Sequence, residues 1–250
     1  MPDLTVVCAA SGKVWVRRAR RALDSVLALA PDVKTILYPY KRRQGRGDAD
    51  RLQGILQADT PWVLSIDADV LAAGDVRAPV LHNRHWGMYA VLAREAPIRR
   101  HPAWHQDRWE AMLKAAGLDP CPVAWNGAFY IERRVAGEII PRLGHWTRFY
   151  LDRRPAVFER PHRKPGQIAF TLALAEAGLF LGSVGWVEAE TFSFHGERPI
   201  GQIGPIGPMG QTTQPTAHER PGIIHHIGGK RYVELEAAGK LESALEERRP

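Results

Sequence analysis

The stretch WVLSIDADVL, residues 62–71, runs an apolar segment directly into two aspartates that are one residue apart. The apolar part is typical of a buried strand, and in an extended segment Asp67 and Asp69 point to the same side. In open α/β sheets, ligands bind at the carboxyl ends of the strands. Two like charges held there repel each other, so the stretch predicts a divalent cation between the two carboxylates. Carboxylate oxygens suit Mg²⁺ or Mn²⁺.

The segments around this strand alternate between strand and helix patterns. Before it we predict strands at residues 4–10 and 33–40 and helices at residues 14–30 and 48–58. After it we predict strands at residues 85–92 and 127–133 and helices at residues 104–116, 167–178 and 233–248. The strand–helix–strand order of the first half predicts an α/β fold with a mostly parallel central sheet flanked by helices.

Composition indicates an ordinary globular protein without a disulfide framework. Hydrophobic residues make up 45% and charged residues 24% of the 250 residues, and there are two cysteines, neither in a CxxC pair. No apolar run is long enough for a membrane helix, and the first residues, MPDLTVVCAASG, lack the pattern of a signal peptide. We therefore expect a cytoplasmic protein.

The chain is basic, with a formal net charge of +7. The clusters RRARR (17–21) and KRRQGR (41–46) contribute strongly to this charge. They favour an anionic partner, which could be a nucleotide phosphate, a nucleic acid or a membrane surface. Solvated helix and loop faces are the alternative reading of both clusters.

The residues that indicate a chemical function are the aspartate pair and the segment HHIGGK, residues 225–230. The chain has neither a GxGxxG after its first strand nor a GxxxxGK[ST], so it signals no dinucleotide or P-loop phosphate site. A nearby histidine would favour Mn²⁺ over Mg²⁺. Lys230 would provide a point charge for a phosphate group.

A strand that ends in DxD is also typical of haloacid-dehalogenase-type phosphatases, in which the first aspartate is the nucleophile. In those enzymes the motif closes the first strand of the domain and continues to Thr or Val. Here it closes the third predicted strand, and Leu71 stands in the Thr position. The phosphatase reading is therefore disfavoured.

The chain resembles the GT-A fold glycosyltransferases in four segments, which in chain order are DADRLQGILQADTPWVLSIDADVLAAGDV, WNGAFYIE, PGQIAFTLALAE and IIHHIGGK. The likeness is distant, is greatest to the glycogenin and lipopolysaccharide galactosyltransferase family, and covers roughly residues 4–232. It implies a GT-A-like nucleotide-diphospho-sugar transferase fold. It also implies one catalytic domain, with a nucleotide-binding half at about 1–75, an acceptor-side half at about 76–232 and a C-terminal helix at about 233–248.

The resemblance implies a role for each matching position. Asp67, Asp69 and His225 would bind Mn²⁺ (or Mg²⁺), with His226 as the alternative to His225. The remaining positions would bind the donor or line the reaction site; they are Ala9, Ala10, Ser11, Arg51, Ala68, Gly228 and Lys230 for the donor and Gln167, Asn126 and Arg51 for catalysis. Gly127 would lie beside Asn126.

Two departures separate the chain from that family. Gly166 replaces the aspartate that precedes the family's glutamine, and Arg231–Tyr232 replaces a Pro-Trp pair after a shortened C-terminal motif. The first removes a hydrogen-bond acceptor for sugar hydroxyls, and the second implies a phosphate clamp that is built differently. The donor sugar is therefore not defined by the resemblance.

We expect a retaining transfer of a sugar from a nucleotide-sugar donor, by the family's example a UDP-sugar, to a hydroxyl acceptor. The positive charge favours an anionic acceptor, with nucleic acid among the candidates, and a glycosyltransferase of modified DNA bases would combine both features. A non-catalytic basic nucleic-acid-binding protein is the rival from another class. The Gly- and Pro-rich residues 201–222 are predicted to close over the donor.

Overall fold

The computed structural model of the chain describes residues 4–41, 48–72, 74–77, 80, 88–90, 106–119, 128–157, 165–178, 224–226 and 229–240. The strands are Leu4–Ala10 (β1), Lys34–Pro39 (β2), Trp62–Ile66 (β3), Val70–Ala72 (β4), Met88–Ala90 (β5), Ala128–Glu132 (β6) and Ile224–His226 (β7). The α-helices are Lys13–Leu29 (α1), Asp48–Leu52 (α2), Gln106–Ala115 (α3), Arg133–Ile139 (α4), Leu143–Val157 (α5), Pro165–Glu176 (α6) and Gly229–Ala237 (α7). The 3₁₀ segments Gln53–Gln57 and Ile140–Arg142 follow α2 and α4.

Five strands form the central sheet in the order β2-β1-β3-β6-β5. β1 is parallel to β2 and to β3, whereas β6 is antiparallel to both β3 and β5. Four of these five strands therefore run in one direction, and the predicted α/β fold with a mostly parallel sheet is confirmed. The sheet draws β1, β2 and β3 from the predicted nucleotide-binding half and β5 and β6 from the predicted acceptor half.

Helices cover both faces of this sheet. On one face Ala19, Ala22 and Val26 of α1 pack in the same buried cluster as Val6 and Leu64 of the sheet. On the other face a second cluster joins alternate strand residues to α4, α5 and α6, and the rings of Phe129 and Phe170 lie 5.0 Å apart. Every residue of β3 is buried. This double coverage explains why β3 is apolar except for the buried Ser65.

A second, smaller sheet joins distant parts of the chain. β4 and β7 pair in antiparallel orientation, with Leu71 opposite His225 and Val70 opposite His226. β4 is also held against α1, because the backbone N–H of Ala72 donates to Ser25 Oγ at 2.9 Å. The C-terminal segment is thereby brought beside the turn that follows β3.

One predicted helix of the first half is shorter in the structure. The helix expected at 48–58 is α-helical only to Leu52 and continues as a 3₁₀ segment. Gly54 lies in that segment, and glycine is a weak helix former. Of the strand expected at 85–92 and the helix expected at 104–116, the structure describes Met88–Ala90 and Gln106–Ala115, and residues 85–87, 91–92 and 104–105 lie outside the described part of the chain.

Where a C-terminal helix is predicted at about 233–248, the structure describes a helix that begins at Gly229 and ends at Ala237, and residues 241–248 lie outside the described residues. Gly239 adopts a left-handed conformation with φ 65°, and the N–H of Lys240 donates to the carbonyl of Leu235 at 2.9 Å. This is the Schellman arrangement that terminates helices at glycine. Gly178, with φ 67°, lies beyond α6 as the sequence predicts.

No helix within the described ranges is long and apolar enough to cross a membrane.

Candidate functional site

The candidate site lies where β1 and β3 end side by side. These strands are parallel, and Cys8 is the register partner of Ile66. The residues that follow, Ala9 in β1 and Asp67 after β3, therefore occupy neighbouring positions at one edge of the sheet. This is the edge at which an α/β sheet binds ligands.

Asp67 and Asp69 belong to a tight turn. The backbone N–H of Val70 donates to the carbonyl of Asp67 at 3.1 Å, and β4 begins at Val70. The expected extended geometry of the pair is therefore wrong, because the chain turns after Ile66 to place β4 against α1. Ala68 is buried in the cluster beneath α1, whereas both aspartates are half-buried. The buried alanine anchors the turn and leaves both carboxylates at the sheet edge.

Arg51 of α2 joins this turn directly. Its Nη1 donates a hydrogen bond to Asp67 Oδ1, in an ion pair whose side chains are only 14% and 25% exposed. The next residue, Leu52, is fully buried in the core and fixes the helix from which Arg51 extends. The family resemblance predicted that Arg51 reaches the donor. The structure shows Arg51 in contact with the first aspartate.

The pKa of the Cys8 thiol depends on the charged side chains of the site. Burial raises the pKa of Cys8 far above its usual range, and the negative charges of Asp67 and Asp69 raise it further. The positive charge of Arg51 acts in the opposite direction. All three charged side chains therefore lie close enough to the end of β1 to influence this thiol.

The predicted nucleoside-binding residues lie at the same edge. Ala10 is buried, Ala9 and Ser11 are half-buried, and Gly12 follows with φ 85° as the residue that precedes α1. The left-handed φ of Gly12 is costly for other residues. The chain therefore turns sharply between Ser11 and α1, which keeps the end of β1 at the rim of the sheet.

Tyr38 is a residue of this edge that the sequence analysis did not single out. It is the register partner of Ala9, and a Cβ placed on Gly54 would lie 2.7 Å from its ring. Tyr38 is thus packed against the 3₁₀ segment that follows Arg51. The sequence feature that could have identified Tyr38 is an aromatic residue near the carboxyl end of a predicted parallel strand.

The histidine segment enters through β7. Residue 225 pairs with Leu71, two positions after Asp69, and residue 226 pairs with Val70. α7 starts at Gly229 and includes Lys230 in its first turn. For His225, His226 and Lys230 the structure describes the backbone alone, and Gly228 lies outside the described residues.

The backbone arrangement fits the divalent cation that the family resemblance implies. Two carboxylates stand in one turn, and the strand paired with β4 brings a histidine-bearing segment beside it. Hard oxygen donors with an added imidazole suit Mn²⁺ or Mg²⁺. Among the side chains that the structure describes, no group of three His, Cys, Asp or Glu residues is close enough to hold a metal ion.

No described contact connects the remaining predicted positions to this site. Gln167 lies in the first turn of α6, where only its backbone is described. The next residue, Ile168, is buried in the cluster on the face of the sheet opposite α1. Asn126, Gly127 and the residues 201–222 lie outside the described part of the chain.

The arginine cluster at 17–21 is partly structural. Arg18 is only 6% exposed, and it donates two hydrogen bonds to Glu236 of α7, from Nε at 3.0 Å and from Nη2 at 2.7 Å. Arg21 also bonds Glu236, at 3.3 Å. Arg17 and Arg20 are exposed. The second basic cluster, at 41–46, lies outside the described residues beyond Lys41.

Comparison with solved structures identifies a shared fold. The structure of the galactosyltransferase LgtC in complex with donor and acceptor sugar analogues matches with a TM-score of 0.55 and 15% identity, over 94% of this chain and 95% of that chain. A glycosyltransferase involved in glycosylation of the major capsid of PBCV-1 matches with a TM-score of 0.54 and 12% identity, over 94% and 100% of the two chains. An active-site mutant of LgtC matches with a TM-score of 0.51 and 16% identity, over 94% and 95% of the two chains.

No protein-family model and no curated protein sequence matches the chain. The described elements nevertheless follow the architecture of the solved glycosyltransferases along most of the chain. The chain therefore has a GT-A-like fold, and its distant resemblance to the lipopolysaccharide galactosyltransferases is confirmed at the level of the fold.

Proposed function

We propose that the protein is a metal-dependent glycosyltransferase that moves a sugar from a nucleotide donor, a UDP-sugar, to a hydroxyl acceptor. One observation carries the proposal. The turn that holds Asp67 and Asp69 stands beside Arg51 at the carboxyl edge of the sheet, in a chain whose fold matches a galactosyltransferase. A carboxylate pair at this edge is suited to holding a cation and, through it, an anionic ligand.

In this proposal Asp67, Asp69 and His225 hold Mn²⁺ or Mg²⁺. The bound cation would supply positive charge to the diphosphate as it departs. Arg51 fixes the orientation of the Asp67 carboxylate through its hydrogen bond. Lys230, in the first turn of α7, would contact the diphosphate as a cationic donor.

The nucleoside would lie along Ala9, Ala10 and Ser11 at the end of β1. Gln167 and Asn126 would line the sugar and acceptor side, as their positions in the family resemblance imply. No described carboxylate is assigned as a covalent nucleophile. We therefore propose that the acceptor hydroxyl attacks the sugar on the face from which the diphosphate leaves, so that the sugar retains its configuration. A diphosphate oxygen would accept the proton of that hydroxyl.

Calorimetry with UDP tests the metal and donor parts of this proposal. UDP should bind measurably with Mn²⁺ present and lose at least about 100-fold in affinity with EDTA or in Asp69→Asn, because a missing metal ligand costs more than a missing outer-shell partner. Asp59→Asn is the matched control, since Asp59 is exposed and bonds Lys34 away from the turn. Equal UDP affinity with and without metal would contradict the proposal.

Transfer itself requires a separate assay. A panel of UDP-sugars with Mn²⁺ should include one whose hydrolysis is faster with the wild type than with Asp69→Asn. Asp59→Asn should hydrolyse that donor at the wild-type rate. If UDP binds with metal but no nucleotide sugar is consumed, the chain binds nucleotide diphosphates without being a transferase.

A further inference from the structure

One face of α1 contacts both β4 and α7. Arg18, Arg21 and Ser25 follow one another at helical spacing, so their side chains leave the helix on the same side. Ser25 Oγ accepts a hydrogen bond from the backbone N–H of Ala72 in β4. Arg18 and Arg21 donate hydrogen bonds to the carboxylate of Glu236 in α7. A single helix of 17 residues therefore holds both elements.

The ion pair between Arg18 and Glu236 is largely removed from water. The two side chains are 7% and 19% exposed, and Arg18 donates to Glu236 Oε2 from Nε at 3.0 Å and from Nη2 at 2.7 Å. The ring of Trp15, on the core-facing side of α1, packs over the guanidinium group, whose carbon lies 4.8 Å from the ring centroid. Two charged hydrogen bonds from one planar group fix the direction of the contact, so the pair sets the position of Glu236 relative to α1.

Lys230 lies on a short segment that is attached on both sides. Before it, β7 pairs with β4 in antiparallel orientation. After it, Glu236 is held by Arg18. α7 runs Gly229–Ala237, so Lys230 and Glu236 belong to the same helix of nine residues. A displacement of Glu236 would therefore move the first turn of α7, whereas the pairing of β7 with β4 would be kept.

We propose that Arg18 and Glu236 are positioning residues for the donor: their ion pair sets the orientation of α7 and with it the place at which Lys230 meets the diphosphate. This role rests on the proposed function, because it is a task within the donor site. Neither Arg18 nor Glu236 touches the donor, and neither is a metal ligand. They act on the donor through the helix that carries Lys230.

An ion pair that served stability alone would behave differently. Ligand affinity is measured on the folded population, and one substitution removes only a part of the stability of a typical domain. A purely stabilising pair could therefore be broken without a change in affinity as long as the chain stays folded. A positioning pair cannot, because its loss changes the folded state that binds the ligand.

Calorimetry with UDP at saturating Mn²⁺ tests the role of the ion pair. Glu236→Gln removes the charge at nearly constant shape and should weaken UDP binding at least about tenfold, since misplacing a group by an ångström costs up to about 100-fold. Arg18→Gln should have a similar effect. The double variant should bind no more weakly than the weaker single variant, because both substitutions remove the same contact. Circular dichroism verifies that each variant is folded.

Mn²⁺ binding without UDP separates positioning from a general loss of the site. Electron paramagnetic resonance should show an unchanged Mn²⁺ affinity in Glu236→Gln, because Asp67, Asp69 and the pairing of β7 with β4 are not altered. Glu236→Asp keeps the negative charge and should recover part of the lost UDP affinity. The matched control is Ile139→Val, which destabilises a buried position of α4 on the other face of the sheet and should bind UDP as the wild type does.

Hydrogen exchange of residues 230–237 follows α7 without any ligand. Amide protection in this range should fall in Glu236→Gln and in Arg18→Gln, because both substitutions release the helix from α1. It should not fall in Ile139→Val. This measurement is independent of whether the protein binds a nucleotide.

Three results would overturn the positioning role. One is a UDP affinity of Glu236→Gln equal to that of the wild type, another is an equal loss of affinity in Ile139→Val, and the third is unchanged exchange of α7 in Glu236→Gln. A wild type that binds no UDP in the presence of Mn²⁺ would instead contradict the proposed function. The two failures are distinguishable, because in the first the wild type still binds UDP.

Discussion

At the scale of single residues, the pairing of Arg51 with Asp67 shows how the site tolerates two close carboxylates. Both side chains of the pair are largely removed from water. A half-buried carboxylate that accepts a charged hydrogen bond is stabilised in its ionised form. Arg51 therefore offsets part of the repulsion between Asp67 and Asp69 and orients Asp67. The remaining negative charge of the turn is what a divalent cation would neutralise.

Cys8 leads to a prediction at the same scale. Its buried thiol, with a pKa raised by burial and by Asp67 and Asp69, should not react with a thiol reagent in the native protein. In a Cys121→Ser variant at about pH 8, just below the ordinary pKa of a thiol, we expect no labelling until guanidinium chloride unfolds the chain. One thiol per chain should then react. Rapid labelling of the native variant would contradict the buried position.

At the scale of elements, the 3₁₀ segment after α2 depends on a glycine. A Cβ at Gly54 would lie 2.7–2.8 Å from the Cβ and ring carbons near the base of the Tyr38 side chain, which cannot move away easily. Gly54→Ala should therefore lower the free energy of unfolding by about 1–3 kcal/mol, as overpacking does. Urea denaturation measures the change.

Gly137 of α4 is the control for this substitution. A Cβ there would meet nothing within 4 Å. Gly137→Ala should leave the stability unchanged or raise it by up to about 1 kcal/mol, because alanine is the better helix former. An unchanged stability in Gly54→Ala would show that Tyr38 does not require the close approach.

The pairing of β4 with β7 also leads to a prediction about the two histidines. Partners in an antiparallel ladder lie on the same face, so position 225 shares a face with Leu71 and position 226 with Val70, which is buried in the cluster beneath α1. His225→Ala should abolish Mn²⁺-dependent UDP binding, whereas His226→Ala should retain it and act on stability. Mn²⁺ titration followed by electron paramagnetic resonance distinguishes the two. A reversal of the two effects would assign the ligand to His226.

At the scale of the whole molecule, an ion pair connects the two ends of the chain. Arg18 of α1 and Glu236 of α7 are 218 residues apart in sequence, and their hydrogen bonds lower the pKa of Glu236. A carboxylate whose pKa is lower in the folded state stabilises the fold above its unfolded pKa. That contribution is lost as the pH falls through the folded pKa.

Glu236→Gln should consequently reduce the free energy of unfolding by about 1–3 kcal/mol at neutral pH. The difference from the wild type should shrink below about pH 4, where the unfolded glutamate also binds a proton. Urea denaturation over a pH series measures it. Glu138→Gln, which disrupts an exposed pair with Arg134, should change stability by no more than about 0.5 kcal/mol. A constant difference at all pH values would contradict the role of ionised Glu236.

The sequence by itself determined the fold class, the central strand and the position of the aspartate pair. These features depend on local patterns, since a strand covered on both faces must be mostly apolar and α1 must repeat its buried residues at helical spacing. The ordered motifs of a distant family then indicated the GT-A-like fold. Local pattern did not distinguish an extended aspartate pair from a turn, and it did not locate Gly239 as the end of the last helix.

Only the tertiary structure decided which residues meet across long sequence separations. The contact of Arg51 with Asp67, the pairing of β4 with β7 and the antiparallel direction of β6 arise when separate elements pack together. The exposure of Trp15 was equally hidden, because its spacing from Ala19 and Ala22 is that of a buried residue. Periodicity reports which face of a helix is apolar. Whether another element covers that face depends on the packing of the whole chain.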